Sequence, residues 1–286
     1  MSGTEFFSPT TLEEAFELLD KYRERAVIVN GGTDIVEKIA DGTVDPDAII
    51  YIQPISELKG IRETKGFIHI GGAATYKDIL SSALCSQFSA LEQAVWEVGS
   101  PPIRVLGTPA GNLGTAVPAA DCNVALMALG AEVLLASSAG DRTLKLTDLF
   151  VGNGQTALKN NELIKEIRIP ITGVNAASAF VKLARRKAQD IAQLSVAVSL
   201  TVEGDTCREI CIALGAVNSV IVRAYSLEKL MNGNAIDAGI AAVKKTIPEE
   251  LSLRNPRNKP YKEAVIGVAV ERAIKKAYAE VMGREK

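Results

Sequence analysis

The sequence predicts an α+β protein built in two parts, and three observations carry that prediction. Over residues 1–56 short apolar runs alternate with helical patterns around a glycine turn, which makes a small β-α-β-like unit. Residues 57–172 add further strands and helices around a second stretch of small residues. Near Thr172-Gly173 the character changes to strands followed by helices. The chain therefore divides into 1–172, with subdomains of about 1–56 and 57–172, and a C-terminal part of 173–286. A length of 286 residues suits two domains.

Each element has its own signal. Thr11-Leu12-Glu13-Glu14 reads as a capping box, and Leu12, Ala15, Phe16 and Leu19 then share one helical face. Ala26-Val27-Ile28-Val29 is a short continuous apolar run of the buried-strand kind, ending in Asn30-Gly31-Gly32-Thr33-Asp34. Ile35, Val36 and Ile39 mark a short helix, and residues 48–52 a second buried strand. Residues 60–70 form a hairpin with Lys65-Gly66 at its tip, and Thr75 with Asp78 caps the next helix. Residues 88–98, which carry the only tryptophan, Trp96, are helical. Pro101 and Pro102 remove donors and bias the preceding residue to extended geometry, so no regular helix is expected to begin at 100–104. Residues 107–120 read as a small-residue loop, 121–129 as a helix, 132–136 as a strand, 138–141 as a turn, and a strand then runs up to Pro170. Three strands follow at 178–184, 194–203 and 209–216, the last two joined by Glu203-Gly204-Asp205. Helices at 225–230, 235–245 and 261–281 complete the chain, with Pro248, Pro256 and Pro260 as breaks.

Composition narrows the function classes. Hydrophobic residues make up 47% and charged residues 23%, with a formal net charge of −2 and both signs interspersed. That excludes the electrostatic footprint of a nucleic-acid binder and a polybasic membrane patch. The first residues lack a positive segment followed by an apolar one, and the most apolar stretch, 124–136, is too short to span a bilayer, so the cytoplasm is the expected location. Cys85, Cys122, Cys207 and Cys211 do not make a Cys-x-x-Cys pair and read as ordinary buried thiols. His69 is the single histidine; a lone strand histidine is a solvated or satisfied side chain, and its solitude argues against a histidine metal site or a serine–histidine triad. No catalytic side chain and no metal ligand are assigned, and redox chemistry here would need a borrowed cofactor.

Two glycine-bearing segments are candidates for holding one. Asn30-Gly31-Gly32-Thr33-Asp34 follows a buried strand, and adjacent glycines permit positive φ and close approach of a ligand to the main chain. The N–H groups of such a turn converge on an anion, with the dipole of the following helix behind them, so a diphosphate is the natural guest. A structural turn capped by Asp34 is the other reading. The turn matches neither Gly-x-Gly-x-x-Gly nor the Walker pattern. The second segment, Gly107-Thr108-Pro109-Ala110-Gly111-Asn112-Leu113-Gly114-Thr115, is rich in small residues and donors, with Asp121 just beyond. It is either a long ordered connector or the second jaw around an extended ligand.

At these segments the chain resembles the FAD-binding subunits of molybdenum hydroxylases, a family that includes the flavin subunits of carbon monoxide, xanthine and nicotinate dehydrogenases. The usual Ala-Gly-Gly-Thr-Asp stands here as residues 30–34, and Ile-Gly-Ala-x-Thr as Ile70-Gly71-Gly72-Ala73-Ala74-Thr75 with one extra residue. A run close to Gln-Ile-Arg-Asn-x-x-Thr-Ile-Gly-Gly-Asn stands as residues 102–112, followed by Pro118-Ala119-Ala120-Asp121. Glu162-Leu163-Ile164 through Ile169-Pro170 matches a fourth signature, and residues 180–186 with Asp190-Ile191-Ala192 resemble the start of the family's C-terminal domain. The matches run in order over nearly the whole chain.

The resemblance implies a p-cresol methylhydroxylase-type FAD-binding fold of two subdomains, then a C-terminal α+β domain of antiparallel strands and helices. It places the FAD diphosphate on Val29, Asn30, Gly31, Gly32, Thr33 and Asp34. Thr108, Gly111, Asn112, Thr115 and Asp121 would lie along the diphosphate, ribityl and ribose parts, Ile164 on the adenine side, and Lys182 near the isoalloxazine, where a cation favours the negative reduced ring. The function implied is electron transfer, from [2Fe–2S] clusters on a small partner subunit through FAD to NAD(P) or another acceptor. The molybdenum cofactor would sit on a large molybdopterin-binding subunit. A second reading keeps the fold as an assembly subunit with weak or no FAD. It arises because Pro109 and Ala110 stand where a small aliphatic and a glycine are usual, and Ala110→Gly is accordingly expected to tighten FAD binding by less than about tenfold. Pro102, Val105 and Gln189 also depart from the family's usual residues.

Overall fold

The computed structural model describes residues 3–253 and 259–284. Its first layer is a parallel sheet of β1 (Glu5–Phe7), β2 (Ala26–Val29) and β3 (Ala48–Tyr51), ordered β1-β3-β2. Helix α1 (Leu12–Tyr22) starts where Thr11 Oγ1 accepts from the amide of Glu14, and it buries Leu12, Ala15 and Leu19. The return half of the expected capping box is displaced by one residue: the Glu14 carboxylate takes the amide of Thr10 at 2.7 Å. Helix α2 (Ile35–Ala40) follows the first glycine turn.

The hairpin of β4 (Ile61–Thr64) and β5 (Phe67–Gly71) turns at Lys65 and Gly66, both at positive φ (53° and 79°). Helix α3 (Tyr76–Ser81) carries the full Thr75–Asp78 capping box, and α4 (Ser89–Glu97) follows. The next stretch departs from the sequence-based expectation. Residues 100–104 do begin a helix, α5 (Pro101–Leu106), and the expected loop after Gly107 contains another, α6 (Pro109–Thr115). In both cases proline occupies the first turn, where its missing N–H is no loss and its fixed φ suits a helix. Pro260 likewise opens a helix instead of breaking one. Helix α7 (Asp121–Ala128) is buried along its whole length.

A five-stranded antiparallel sheet, ordered β4-β5-β10-β6-β7, is completed by β6 (Glu132–Ser137), β7 (Gly140–Lys145) and β10 (Leu163–Pro170). The strand expected to run up to Pro170 is thus interrupted, by α8 (Leu146–Leu149) and the small ribbon β8 (Phe150–Gly152) and β9 (Gln155–Thr156). His69 is satisfied, at 3.0 Å from Glu166 across β5 and β10. Burial alone would raise the Glu166 carboxyl, but hydrogen bonds from Arg168, His69 and Arg62 hold it down at about 2.

The last sheet is antiparallel: β11 (Ala176–Leu183), β12 (Leu194–Glu203), β13 (Thr206–Gly215) and β14 (Val222–Arg223). Its side chains alternate between two cores. Phe180, Ala197 and Ala213 join α4 and α7 on one face, while Ala179, Val196 and Val198 pack with α9 (Tyr225–Met231), α10 (Ile236–Val243) and α11 (Lys259–Arg284) on the other. Pro248 falls after α10, and Pro256 lies outside the described residues. All four cysteines are buried and unpaired. No helix among the described residues is long and apolar enough to cross a membrane.

Candidate functional site

The site begins at the carboxyl end of β2, where a parallel sheet presents its ligand-facing edge. Gly32 sits at φ +70°, in the left-handed region that side chains rarely adopt. Gly31 has an ordinary φ but a different constraint: a Cβ there would land on the carbonyl oxygen of Leu106, the last residue of α5. The two candidate segments therefore pack backbone against backbone. Asn30, where the family signature has alanine, is buried and clasps the parts together. Its Nδ2 donates to Gly72 O (2.6 Å), and its Oδ1 accepts from Gln53, which also reaches Ala73 O (3.1 Å). The amides of Gly31, Gly32 and Thr33 find no acceptor among the described residues.

Across from this turn stands α6. Thr108 is its N-cap, its hydroxyl oxygen accepting from Gly111 N at 3.1 Å. Pro109 has no N–H to offer, so the amide of Ala110 is the one left in the first turn without an acceptor among the described residues. The carbonyl of Asn112 accepts from Thr115 Oγ1 and from Asn123 Nδ2 (2.9 and 3.0 Å), which ties α6 to α7.

Between the two lies a cleft of about 510 Å³, within the usual range for small-molecule sites. Asn30, Gly31, Gly32, Thr33, Asp34, Thr108, Gly111, Asn112, Thr115 and Ile164 all face it, so segments far apart in sequence converge as the two-jaw reading expects. Toward α1 and β10 the cleft has an apolar slot of Leu19, Ile28, Leu158, Leu163 and Ile164, bordered by Arg23, Glu24, Lys159 and Glu162. Toward α3 and α5 the wall is made by Tyr76, Val98 and Ile103. Apart from Ile164, these apolar and aromatic residues were missed in the sequence, because their helical and strand patterns give no sign that they line a site.

The remaining three expected residues are placed differently. Val29 lies beneath the turn, 3.7 Å from where a Gly32 Cβ would stand, and is not on the cleft wall. Asp121 and Lys182 are also off the wall and pair with each other at 2.7 Å, joining α7 to β11. Burial pushes the Asp121 carboxyl up, to about 6, against the opposing pull of Lys182. Asp121 Oδ1 is sealed in and has no hydrogen-bond partner. Gly71 and Gly72, part of a family signature, do not face the cleft: a Cβ at either would strike the carbonyl oxygen of Leu58 or of Ile164. They are packing glycines.

The cleft offers a Cβ-free turn with free amides, a second helix start opposite, and an apolar slot at one side. That donor set fits a diphosphate carrying an aromatic base. Residues 2–172 match the family described as the FAD binding domain in molybdopterin dehydrogenase, and residues 179–277 match the CO dehydrogenase flavoprotein C-terminal domain. The chain is 41% identical over 208 residues to the nicotinate dehydrogenase FAD-subunit of Eubacterium barkeri, covering 71% of this chain and 70% of that one. It is 30% identical to the carbon monoxide dehydrogenase medium chain of Hydrogenophaga pseudoflava, covering 96% and 97%. Among solved structures, it matches a chain of quinoline 2-oxidoreductase from Pseudomonas putida 86 with a TM-score of 0.88 at 25% identity, covering 98% of each. Its architecture is accordingly the α+β FAD-binding fold with a C-terminal domain, and the chain belongs to the family of FAD-binding medium subunits of molybdenum hydroxylases.

Proposed function

We propose that this chain holds one FAD non-covalently in the cleft and works as the electron-transfer subunit of an oxidoreductase complex in the cytoplasm. The observation that supports it best is the convergence of the free amides of Gly31, Gly32 and Thr33 with the start of α6 on one cleft. In this reading those amides and that of Ala110 hold the diphosphate, where fixed N–H dipoles stabilise negative charge. Thr108, Asn112 and Thr115 face the polar linker, and Ile164 closes the adenine slot. Lys182, held by Asp121, acts on the ring from behind the wall through its charge. When bound, FAD supplies the redox chemistry, accepting electrons singly from iron–sulfur clusters and releasing two together. The domain division near residue 172 goes with this reading, the cofactor lying in the first part.

The partners proposed are a small subunit carrying [2Fe–2S] clusters and a large molybdopterin-binding subunit, with NAD(P) or another acceptor downstream. Acid precipitation of the purified chain should give a yellow supernatant containing FAD, not FMN. A chain that stays colourless after incubation with excess FAD overturns the proposal and favours the assembly reading.

A further inference from the structure

We infer that the hydroxyl of Tyr76 hydrogen-bonds the polar edge of the bound flavin ring, an inference that rests on the cofactor reading above. Tyr76 opens α3 directly after its N-cap Thr75, and its own amide donates to Gly107 O at 3.0 Å. The side chain is thereby fixed against the α5–α6 junction, where its ring edge and the Thr33 hydroxyl both border Gly107. The residue is only 3% exposed, yet it lines the cleft. Its hydroxyl makes no hydrogen bond to any described residue. Among the described residues, the unpartnered polar atoms wholly sealed from solvent are Asp121 Oδ1, Asn123 Oδ1, Ser195 Oγ and Asn218 Oδ1; the Tyr76 hydroxyl is not among them, and Tyr76 lines the cleft. A buried phenol ordinarily finds a partner, and leaving it without one is costly.

The position selects which part of the cofactor meets it. The apolar slot of Leu19, Leu163 and Ile164 lies toward α1 and β10, whereas Tyr76 stands with Val98 and Ile103 toward α3 and α5. With the diphosphate on the turn at 31–33 and the adenine in the slot, the ring system falls to the Tyr76 side. Burial raises the phenol well above its ordinary value, so it remains a neutral donor there.

The test is a titration of wild type and Tyr76→Phe with two probes, FAD and ADP-ribose, which lacks the ring. Loss of one hydrogen bond should weaken FAD binding roughly three- to tenfold and leave ADP-ribose affinity unchanged. The visible bands of the bound flavin should shift as well, which a merely structural role would not cause. Unchanged FAD affinity, or equal weakening toward both probes, overturns the inference. A wild-type chain that binds neither probe would sink the cofactor reading itself and this inference with it, a separate result from the first two. Far-UV circular dichroism of both chains shows that the near-isosteric variant is folded.

Discussion

Residues 30–34 and 107–115 carry the same kinds of residue, glycine beside threonine and asparagine, and they face each other across one cleft. Yet the first is an open turn and the second is mostly helix. In the first, each glycine has a distinct reason to be glycine: Gly32 for its φ of +70°, Gly31 for the backbone of Leu106 pressed against it. In the second, Gly111 and Gly114 sit at ordinary helical positions, and Thr108 with Pro109 decides the conformation by capping and opening a helix. Glycine content alone therefore does not tell a phosphate turn from a short helix. What the neighbours permit does.

The comparison breaks most visibly at Gly31. In Gly31→Ala the new methyl meets a carbonyl oxygen that belongs to a helix end, not a flexible side chain, so the two segments must separate. Destabilisation on the order of 3 kcal/mol is expected, with loss of FAD retention. Urea midpoints and flavin content measure both; a variant as stable as wild type would show that the segments do not touch.

Gly32→Val comes next. A Cβ there is 3.2 Å from Val36 Cγ2, which can yield, so the main cost is forcing a β-branched residue to positive φ. About 2 kcal/mol of stability is expected to go, with the fold surviving by circular dichroism and FAD retention abolished. Full FAD occupancy would remove the diphosphate from this turn. Thr108→Ala probes the opposite jaw. It leaves the Gly111 amide uncapped, at about 1 kcal/mol, and should weaken FAD binding without abolishing it. Abolition would mean that Thr108 holds the cofactor more than it holds the helix.

The same physics explains what was legible in the sequence. The strand at 194–203 and the helix at 121–129 were readable because each is a bounded, mostly apolar run of a length that suits one buried element. The turn at 30–34 was readable as a turn because its paired glycines end a buried apolar run. Residues 100–120 were not: proline was weighed as a breaker, although at a helix's first position it is an initiator. The Gly71-Gly72 pair stands in a family signature, but the neighbours that require glycine there, Leu58 and Ile164, come from other parts of the chain. Long-range approach of this kind has no local signature. The same holds for the Tyr76 wall and for the Asp121–Lys182 pair, which exists because α7 packs against the C-terminal sheet.

The smallest expected effect is at Ala110, where the structure supports a different expectation from the sequence. That expectation took Ala110 as a loop residue crowding the diphosphate, so that glycine would tighten FAD binding. Ala110 is instead the second residue of α6, 5% exposed, and packed in the same core cluster as Leu113 and Ile164. It also lines the cleft, but with so little of it exposed the methyl is mostly committed to the core. Glycine would give up helix propensity worth about 0.5–1 kcal/mol, and the unfolded chain would gain freedom as well. It would also loosen the helix start whose amide at this position faces the cleft. Ala110→Gly should therefore lower stability by about 1 kcal/mol and leave FAD affinity unchanged or weaker by less than about threefold. Titration of both apo-proteins with FAD decides between the two accounts. A gain approaching tenfold would mean that the methyl does reach the cofactor, and that α6 is held in place at the cofactor's expense.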